Sequence, residues 1–347
     1  MSKRAISAAY AVAAATTTLL VGAAPAIAVD DKSNVRKGEI HTAAPTISKR
    51  LAGSDRFETS VAVSKAEYPD GASVVYVASG VSFPDALTLG PVAALQQGPL
   101  LLTHPAYVPA AVFAEIKRLR PQKIVIAGGT DTISAAVEKD LKPFATVVKR
   151  IGGSNRYATS RQLVEASFTE PVKSVYLATG ADFPDALSAG AAAAHASGPL
   201  VLIDGNAPAL DTATSALLRT LRPESITIAG GPAVVSDGIV RQAKTLAATV
   251  KRVSGDDRFE TSAALAGAWS GTIAHAYVAS GTDFPDALVG SAAAGRRGEP
   301  MYVSYLSCTP SALAGSFRTH ITSTATVIGG EQSISRNVFE SECSFAP

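Results

Sequence analysis

Two residue types able to do chemistry recur in step along this chain. Arginine stands at Arg56, Arg156 and Arg258, and an aspartate follows each one at Asp85, Asp185 and Asp286. A guanidinium presents a rigid fork matched to phosphate or carboxylate. With helix N-termini beside it, such a fork could hold an anionic ligand. The other reading pairs each arginine with its aspartate across the helix starts. It suits the residue types better, because a carboxylate beside the site repels an anion. A second basic set, Arg50, Arg150 and Arg252, follows a lysine in each copy (Lys49, Lys149, Lys251). These six are either further anion contacts or solvated strand ends, the commoner fate of such pairs.

Catalytic chemistry finds little support. The histidines are His41, His104, His195, His275 and His320, and no two share a position in the repeat; His104 aligns with Asp204 and Tyr305. No H-E-x-x-H, G-x-S-x-G or Cys-His pattern is present, and the His and Glu ligands a zinc amidase needs do not cluster in the sequence. The expectation is no catalytic residue, no metal and no cofactor. A hydrolase built on paired carboxylates remains the open alternative.

The elements that must position these residues also repeat. Lys49-Arg50-Leu51-Ala52-Gly53-Ser54-Asp55-Arg56-Phe57-Glu58-Thr59-Ser60 has counterparts at 149–160 and 251–262. Phe83-Pro84-Asp85-Ala86-Leu87 returns at 183–187 and 284–288, and a glycine pair falls at Gly128-Gly129, Gly230-Gly231 and Gly329-Gly330. The period, about a hundred residues, makes each copy long enough for a small domain. Each copy opens with a strand such as Thr46–Leu51, which places the units at 45–144, 145–246 and 247–347. In the first, apolar runs at 73–78, 100–103 and 123–127 read as strands, and Arg56–Glu67, Pro84–Gln96, Pro109–Leu119 and Ser134–Leu141 as helices. Unbroken apolar strands alternating with helices predict α/β layers of about four parallel strands. Asp55, Asn155 and Asp257 sit where N-caps are needed, as do Ser134, Ser236 and Ser335. The glycine pairs match no phosphate-loop pattern and read as tight turns. In such sheets ligands lie at the carboxyl ends of the strands, so Arg56 would share an edge with Asp85, Arg156 with Asp185 and Arg258 with Asp286.

Lys3 and Arg4 precede an apolar run from Ala5 to Gly22, and Ala26-Ile27-Ala28 fits a cleavage site. Residues 1–28 thus read as an export signal, and Pro25 with its small neighbours favours cleavage over a membrane anchor. Residues 29–44 form a short polar segment, and no later stretch is long and apolar enough to span a membrane. Without Lys3 and Arg4 the 31 basic residues fall to 29, equal to the 29 acidic ones. No global positive field remains to attract nucleic acid, and any anion recognition must be local. Cys308 and Cys343 are the only cysteines, and in an exported chain they predict a structural disulfide.

The repeated blocks Arg-x-x-Gly-x-Asp-Arg-Phe-x-Thr, Gly-x-x-Phe-Pro-Asp-Ala-Leu and Gly-Pro-Leu-Leu-Leu resemble the type 2 cell-wall-binding repeat, over nearly all of residues 46–347. That family occurs as tandem triplets in exported proteins of Gram-positive bacteria. The resemblance implies three open Toprim-like or Rossmann-like domains about a pseudo-threefold axis. It also implies non-covalent attachment to an anionic wall polymer, teichoic-acid-like or another secondary polysaccharide. The expected function is multivalent anchoring at the cell surface without a separate catalytic domain. The rivals are a peptidoglycan amidase or amidase accessory protein, and a surface scaffold or adhesin that binds another protein. The third copy departs from the pattern, with Glu299-Pro300-Met301-Tyr302-Val303 in place of Gly-Pro-Leu-Leu-Leu. If that strand lines a groove, the third groove is altered.

Overall fold

In a computed structural model the structure describes residues 44–168 and 171–343. The leader and nearly all of the polar segment lie outside them. The first unit runs β1 (Thr46–Leu51), α1 (Arg56–Glu67), β2 (Val74–Ser79), α2 (Leu89–Leu95), β3 (Leu100–Thr103), α3 (Ala110–Leu119), β4 (Lys123–Ala127) and α4 (Ala135–Leu141). The second repeats this as β5 (Val147–Ile151), α5 (Arg156–Glu165), β6 (Ser174–Thr179), α6 (Pro184–His195), β7 (Leu200–Ile203), α7 (Thr212–Leu221), β8 (Ser225–Ala229) and α8 (Asp237–Ala243). The third has β9 (Thr249–Val253), α9 (Arg258–Leu265), β10 (His275–Ser280), α10 (Pro285–Arg297), β11 (Met301–Ser304), α11 (Ser311–His320) and β12 (Thr324–Ile328).

Three four-stranded sheets result, and every pairing is parallel. Their membership is offset from the sequence repeat by one strand. The orders are β3-β2-β4-β5, β7-β6-β8-β9 and β11-β10-β12-β1. The strand that opens each repeat therefore joins the sheet of the unit before it. The local cause is plain: β4-α4-β5 is an ordinary strand–helix–strand crossover, and such strands settle side by side. The third sheet takes its fourth strand from β1, with Thr46 opposite Thr324 and Leu51 opposite Ile328. Strand exchange thus closes the three units into a ring.

Capping follows the sequence closely. Asp55 and Asn155 accept from the N–H groups of Glu58 and Ala158, Asp257 from those of Phe259 and Glu260, and Ser134 and Ser236 cap α4 and α8. Glu58 and Glu260 reach back one residue beyond the cap, to the N–H of Ser54 and Asp256. Two expected helices differ. The residues after Ser335 form turns, with the Ser335 hydroxyl accepting from Asn337 N–H. The helix expected over Pro84–Gln96 begins only at Leu89, after a run of turns. Pro91 stands where copies two and three have Ala191 and Ala292. It has no N–H for the Leu87 carbonyl, so the bond that would carry the helix back toward Leu87 is missing, and Pro91 falls instead in the first turn of a helix that starts at Leu89.

The three Ala-rich helices α2, α6 and α10 pack on one another along the ring axis. Equivalent positions meet there: Gly90, Gly190 and Ser291 in one layer, and Ala94, Ala194 and Gly295 in another. A Cβ on Gly190 would lie 2.5 Å from Ser291 Oγ, so this layer has room for a single small side chain. Phe83, Phe183 and Phe284 close one end of the axis, with ring centroids 5.5, 5.7 and 6.2 Å apart. The Cys308–Cys343 disulfide forms within the third unit.

The Ser291 hydroxyl is buried in this layer with no hydrogen-bond partner. Ser291→Ala is therefore expected to stabilise the fold by about 1 kcal/mol, and Gly190→Leu to cost several, through overpacking. Thermal denaturation of both variants should move the midpoint in opposite directions.

Candidate functional site: the junctions between units

Strand exchange determines where the repeated arginines lie. The chain leaves β5 at the carboxyl edge of the first sheet and starts α5, in the second unit, five residues later. Arg156 therefore stands at the junction. Its Nη1 donates to the Gly180 carbonyl of its own unit at 2.6 Å, and its guanidinium lies 5.8 Å from the Phe83 ring of the unit before. Arg56 repeats this with Gly80 at 2.7 Å and Phe284 at 5.8 Å, and Arg258 with Gly281 at 2.8 Å and Phe183 at 5.7 Å.

The aspartate beside each arginine is thus its neighbour's. Arg56 lines a groove of about 200 Å³ with Asp286, and Arg258 one of about 180 Å³ with Asp185. The same-unit matching of Arg56 with Asp85, Arg156 with Asp185 and Arg258 with Asp286 is corrected by one repeat, because the opening strand lies in the preceding sheet. Among the described residues these carboxylates make no direct ion pair with the arginines. Thr132 donates to Asp85 at 2.8 Å, Thr261 bonds Asp185 and Ser333 bonds Asp286. All three crowd the first glycine of the glycine pair, at Gly128, Gly230 and Gly329, where φ is +106° to +111°. Positive φ and the adjacent carboxylate together account for the turn glycine.

Burial shifts two of these acids. Asp286 is raised from its ordinary value, chiefly by desolvation. Asp185 is raised to about 6, by desolvation above all, with the Asp182 charge adding and Arg258 opposing. Val234 stands where the other copies have Thr132 and Ser333, so Asp185 has no hydroxyl donor on that side.

Arg50, Arg150 and Arg252 are neither solvated nor free. Each donates to the carbonyl of the turn glycine, Gly329, Gly128 or Gly230, at 2.8 to 2.9 Å. Further bonds run to Ser335, Ser134 and Val235 carbonyls, and Arg150 and Arg252 also pair with Glu138 and Asp237. They clamp the exchanged strand to the turn beside it. Lys49, Lys149 and Lys251 are the exposed members of these pairs. The divergent strand β11 is buried along its length and lines neither groove, so Met301 and its neighbours affect packing.

The motif serines and threonines also serve the fold. Thr59, Thr159 and Thr261 accept from Gly53, Gly153 and Gly255 N–H, and Ser60, Ser160 and Ser262 accept from the middle of β3, β7 and β11. Among the described residues no three His, Cys, Asp or Glu side chains gather as metal ligands. No helix there is long and apolar enough to cross a membrane.

The cell wall binding domain 2 (CWB2) family matches residues 50–138, 150–240 and 252–339. The chain belongs to this family. It is 27% identical to the N-acetylmuramoyl-L-alanine amidase LytC of Bacillus subtilis over 74% of this chain and 50% of LytC. It is 29% identical to the amidase enhancer of the same organism, over 84% of this chain and 39% of that protein. The chain therefore spans half or less of the relatives it matches. Among solved structures it resembles Cwp6 from Clostridium difficile, with a TM-score of 0.77 and 27% identity over 83% of this chain and 46% of that one. Cwp8 from the same organism gives 0.77 at 24% identity, covering 84% and 50%, and shows the fold alone. The CWB2 repeats are thus wall-binding domains of cell-surface proteins, arranged here as three parallel-sheet α/β units.

What the sequence reading missed was the difference between junctions. Arg56 pairs with Asp283 at 3.4 Å and Arg258 with Asp182 at 3.8 Å, whereas Ser82 holds that position beside Arg156. Asn155 replaces Asp55 and Asp257, and Ala158 replaces Glu58 and Glu260. The first-to-second junction has lost the aspartate that pairs with the other two arginines and two capping carboxylates beside it, a change visible on aligning the three copies.

Asp185 gives a pH signature. Its native value near 6 lies above the ordinary 3.8, so ionisation destabilises the fold. The penalty is absent below about 3.8, grows as pH rises, and is complete above about 6. Asp185→Asn should therefore exceed the parent in stability by about 1 kcal/mol at pH 7.5, with the gap closing near pH 4, as read by thermal melts across pH.

Proposed function

We propose that this chain is an exported wall anchor that holds an anionic wall polymer non-covalently, with the first-to-second junction as its principal anion contact. Export rests on the leader-like residues 1–28, and wall attachment on family membership. The observation that carries the anion assignment is Arg156. Among the described residues it alone of the three junction arginines has no ion pair, and three acidic positions around it are neutral. Asp283 and Asp182 pair with Arg56 and Arg258 and oppose an anion there, whereas Arg156 keeps only the Asp85 carboxylate that every junction has in equivalent form, and lies against an aromatic ring. Repeated weak contacts along a polymer would add through effective concentration, and the polyanion's counterions would make retention fall with salt.

The test is cosedimentation with purified sacculi, before and after removal of the secondary polymers. Retention should require the polymers and weaken as salt rises. Arg156→Ala should reduce it about tenfold, and Arg56→Ala or Arg258→Ala far less. Equal losses from all three, or full retention on stripped sacculi, would sink the assignment. The likeness to LytC keeps an amidase reading in view. Release of amino sugars or peptides from sacculi by the pure chain would establish it.

A further inference from the structure

The second unit carries a pocket of about 380 Å³ between α5 and the segment that follows β7, and Arg156 is not among its lining residues. Its wall is built from residues that differ, as a set, from those of the sister copies. Tyr157 stands for Phe57 and Phe259, Arg161 for Val61 and Ala263, Asp204 for His104 and Tyr305, and Asp211 for Pro109 and Pro310. In the sister copies the same region is filled by apolar and aromatic packing. Val61 is buried in the core with Val108 and Val112, and Phe259 packs on Tyr305 with centroids 4.0 Å apart. In the second unit the space is open and polar, over an apolar floor of Ile203 and Leu210.

The charges in this pocket are largely internal. Arg161 Nη1 bonds Asp211 Oδ2 at 3.2 Å and Thr214 Oγ1 at 3.0 Å, so its charge is compensated and it braces the wall. Three groups remain to meet a ligand: the Tyr157 ring with its hydroxyl, the exposed Asp204 carboxylate, one oxygen of which accepts from Asn206 N–H, and the amide nitrogen of Asn155, whose oxygen caps α5. The Tyr157 ring packs over Gly180 on one side and lines the pocket on the other. An aromatic wall, one carboxylate and one amide, with no unpaired cation, suit a ring of C–H groups edged by hydroxyls and do not suit a phosphate.

We infer that this pocket is a subsite for a neutral pyranose, a sugar of the wall glycan. The inference rests on the wall-binding reading and extends it. Arg156 and Tyr157 are adjacent in the chain, the first facing the junction and the second the pocket. An alternating anion-and-sugar polymer could then be read across the first turn of α5, charge on one side and sugar on the other.

The experiment is amide chemical-shift titration of the whole chain with N-acetylglucosamine, and in parallel with glycerol 3-phosphate. The sugar should give saturable shifts confined to residues 155–161 and 203–211, while the phosphate should act near Arg156 without filling the pocket. A Tyr157→Phe/Asp204→His double variant restores residues that the sister copies carry and leaves the Arg161–Asp211 brace intact. It should keep the parent melting temperature and weaken the sugar at least about fivefold. Shifts absent up to tens of millimolar, or unchanged in the variant, would overturn the subsite. Sacculus retention of the same proteins separates the two claims. Retention without sugar shifts removes only the subsite, and sugar shifts without retention remove only the wall reading.

Discussion

One backbone arrangement underlies the other features: each sheet borrows its fourth strand from the next repeat, and the last sheet borrows from the first. A parallel edge strand left unpaired would expose a row of N–H and C=O groups. Exchange pairs that row on β4, β8 and β12, moves the edge out to the borrowed strand, and makes every unit depend on a neighbour. The closing pair, β1 with β12, joins residues about 278 positions apart, yet loop-closure entropy rises only logarithmically with length. The same exchange forces each α1-type helix to begin on one unit and end on the next. Its arginine must therefore lie at a junction. The groove is a consequence of the topology before it is a binding device.

A ring of three also needs a centre that can close, and small residues provide it. Helices α2, α6 and α10 can approach because Gly90, Gly190 and Gly295 carry no side chain where their neighbours arrive. Away from the phenylalanine cap the symmetry ends, and each interface uses different chemistry. Between third and first units, buried Glu67 accepts from Arg297 at 2.7 Å and Tyr277 at 2.9 Å, while Arg296 lies over Tyr68. Between second and third, His195 stacks on Trp269, whose indole N–H bonds the Gly298 carbonyl. Chain connectivity and strand exchange already set the order of the units, and distinct contacts of this kind make the interfaces chemically non-interchangeable.

Much of the local structure was legible in the sequence, because local causes fix it. Asp55 and Ser134 cap where their side-chain chemistry requires, and Leu100–Thr103 and Lys123–Ala127 are strands as their apolar runs imply. Sheet membership was not legible. A parallel strand such as Val147–Ile151 carries the same pattern whichever sheet it joins, so periodicity placed the unit boundary one strand away from the sheet boundary. The Arg–Asp matching inherited that offset. The clamps of Arg50, Arg150 and Arg252 were hidden for a related reason, since their partners are backbone carbonyls that leave no mark in residue type.

The junctions' inequality changes what multivalency can mean here. Three matched grooves on one chain would each contribute a contact of similar strength, and avidity would be internal to the ring. The junctions on either side of Arg156 instead carry aspartates that offset their arginines, at Asp283 and Asp182. A carboxylate within ion-pair reach lowers the attraction of a phosphate and, at these exposed positions, contributes little stability. Two junctions thus hold an ion-paired arginine, while the third holds an arginine outside any ion pair among the described residues. On the proposed reading, repetition within the chain would build the scaffold, and repetition within the polymer, offering many equivalent segments to one favoured junction, would supply the retention.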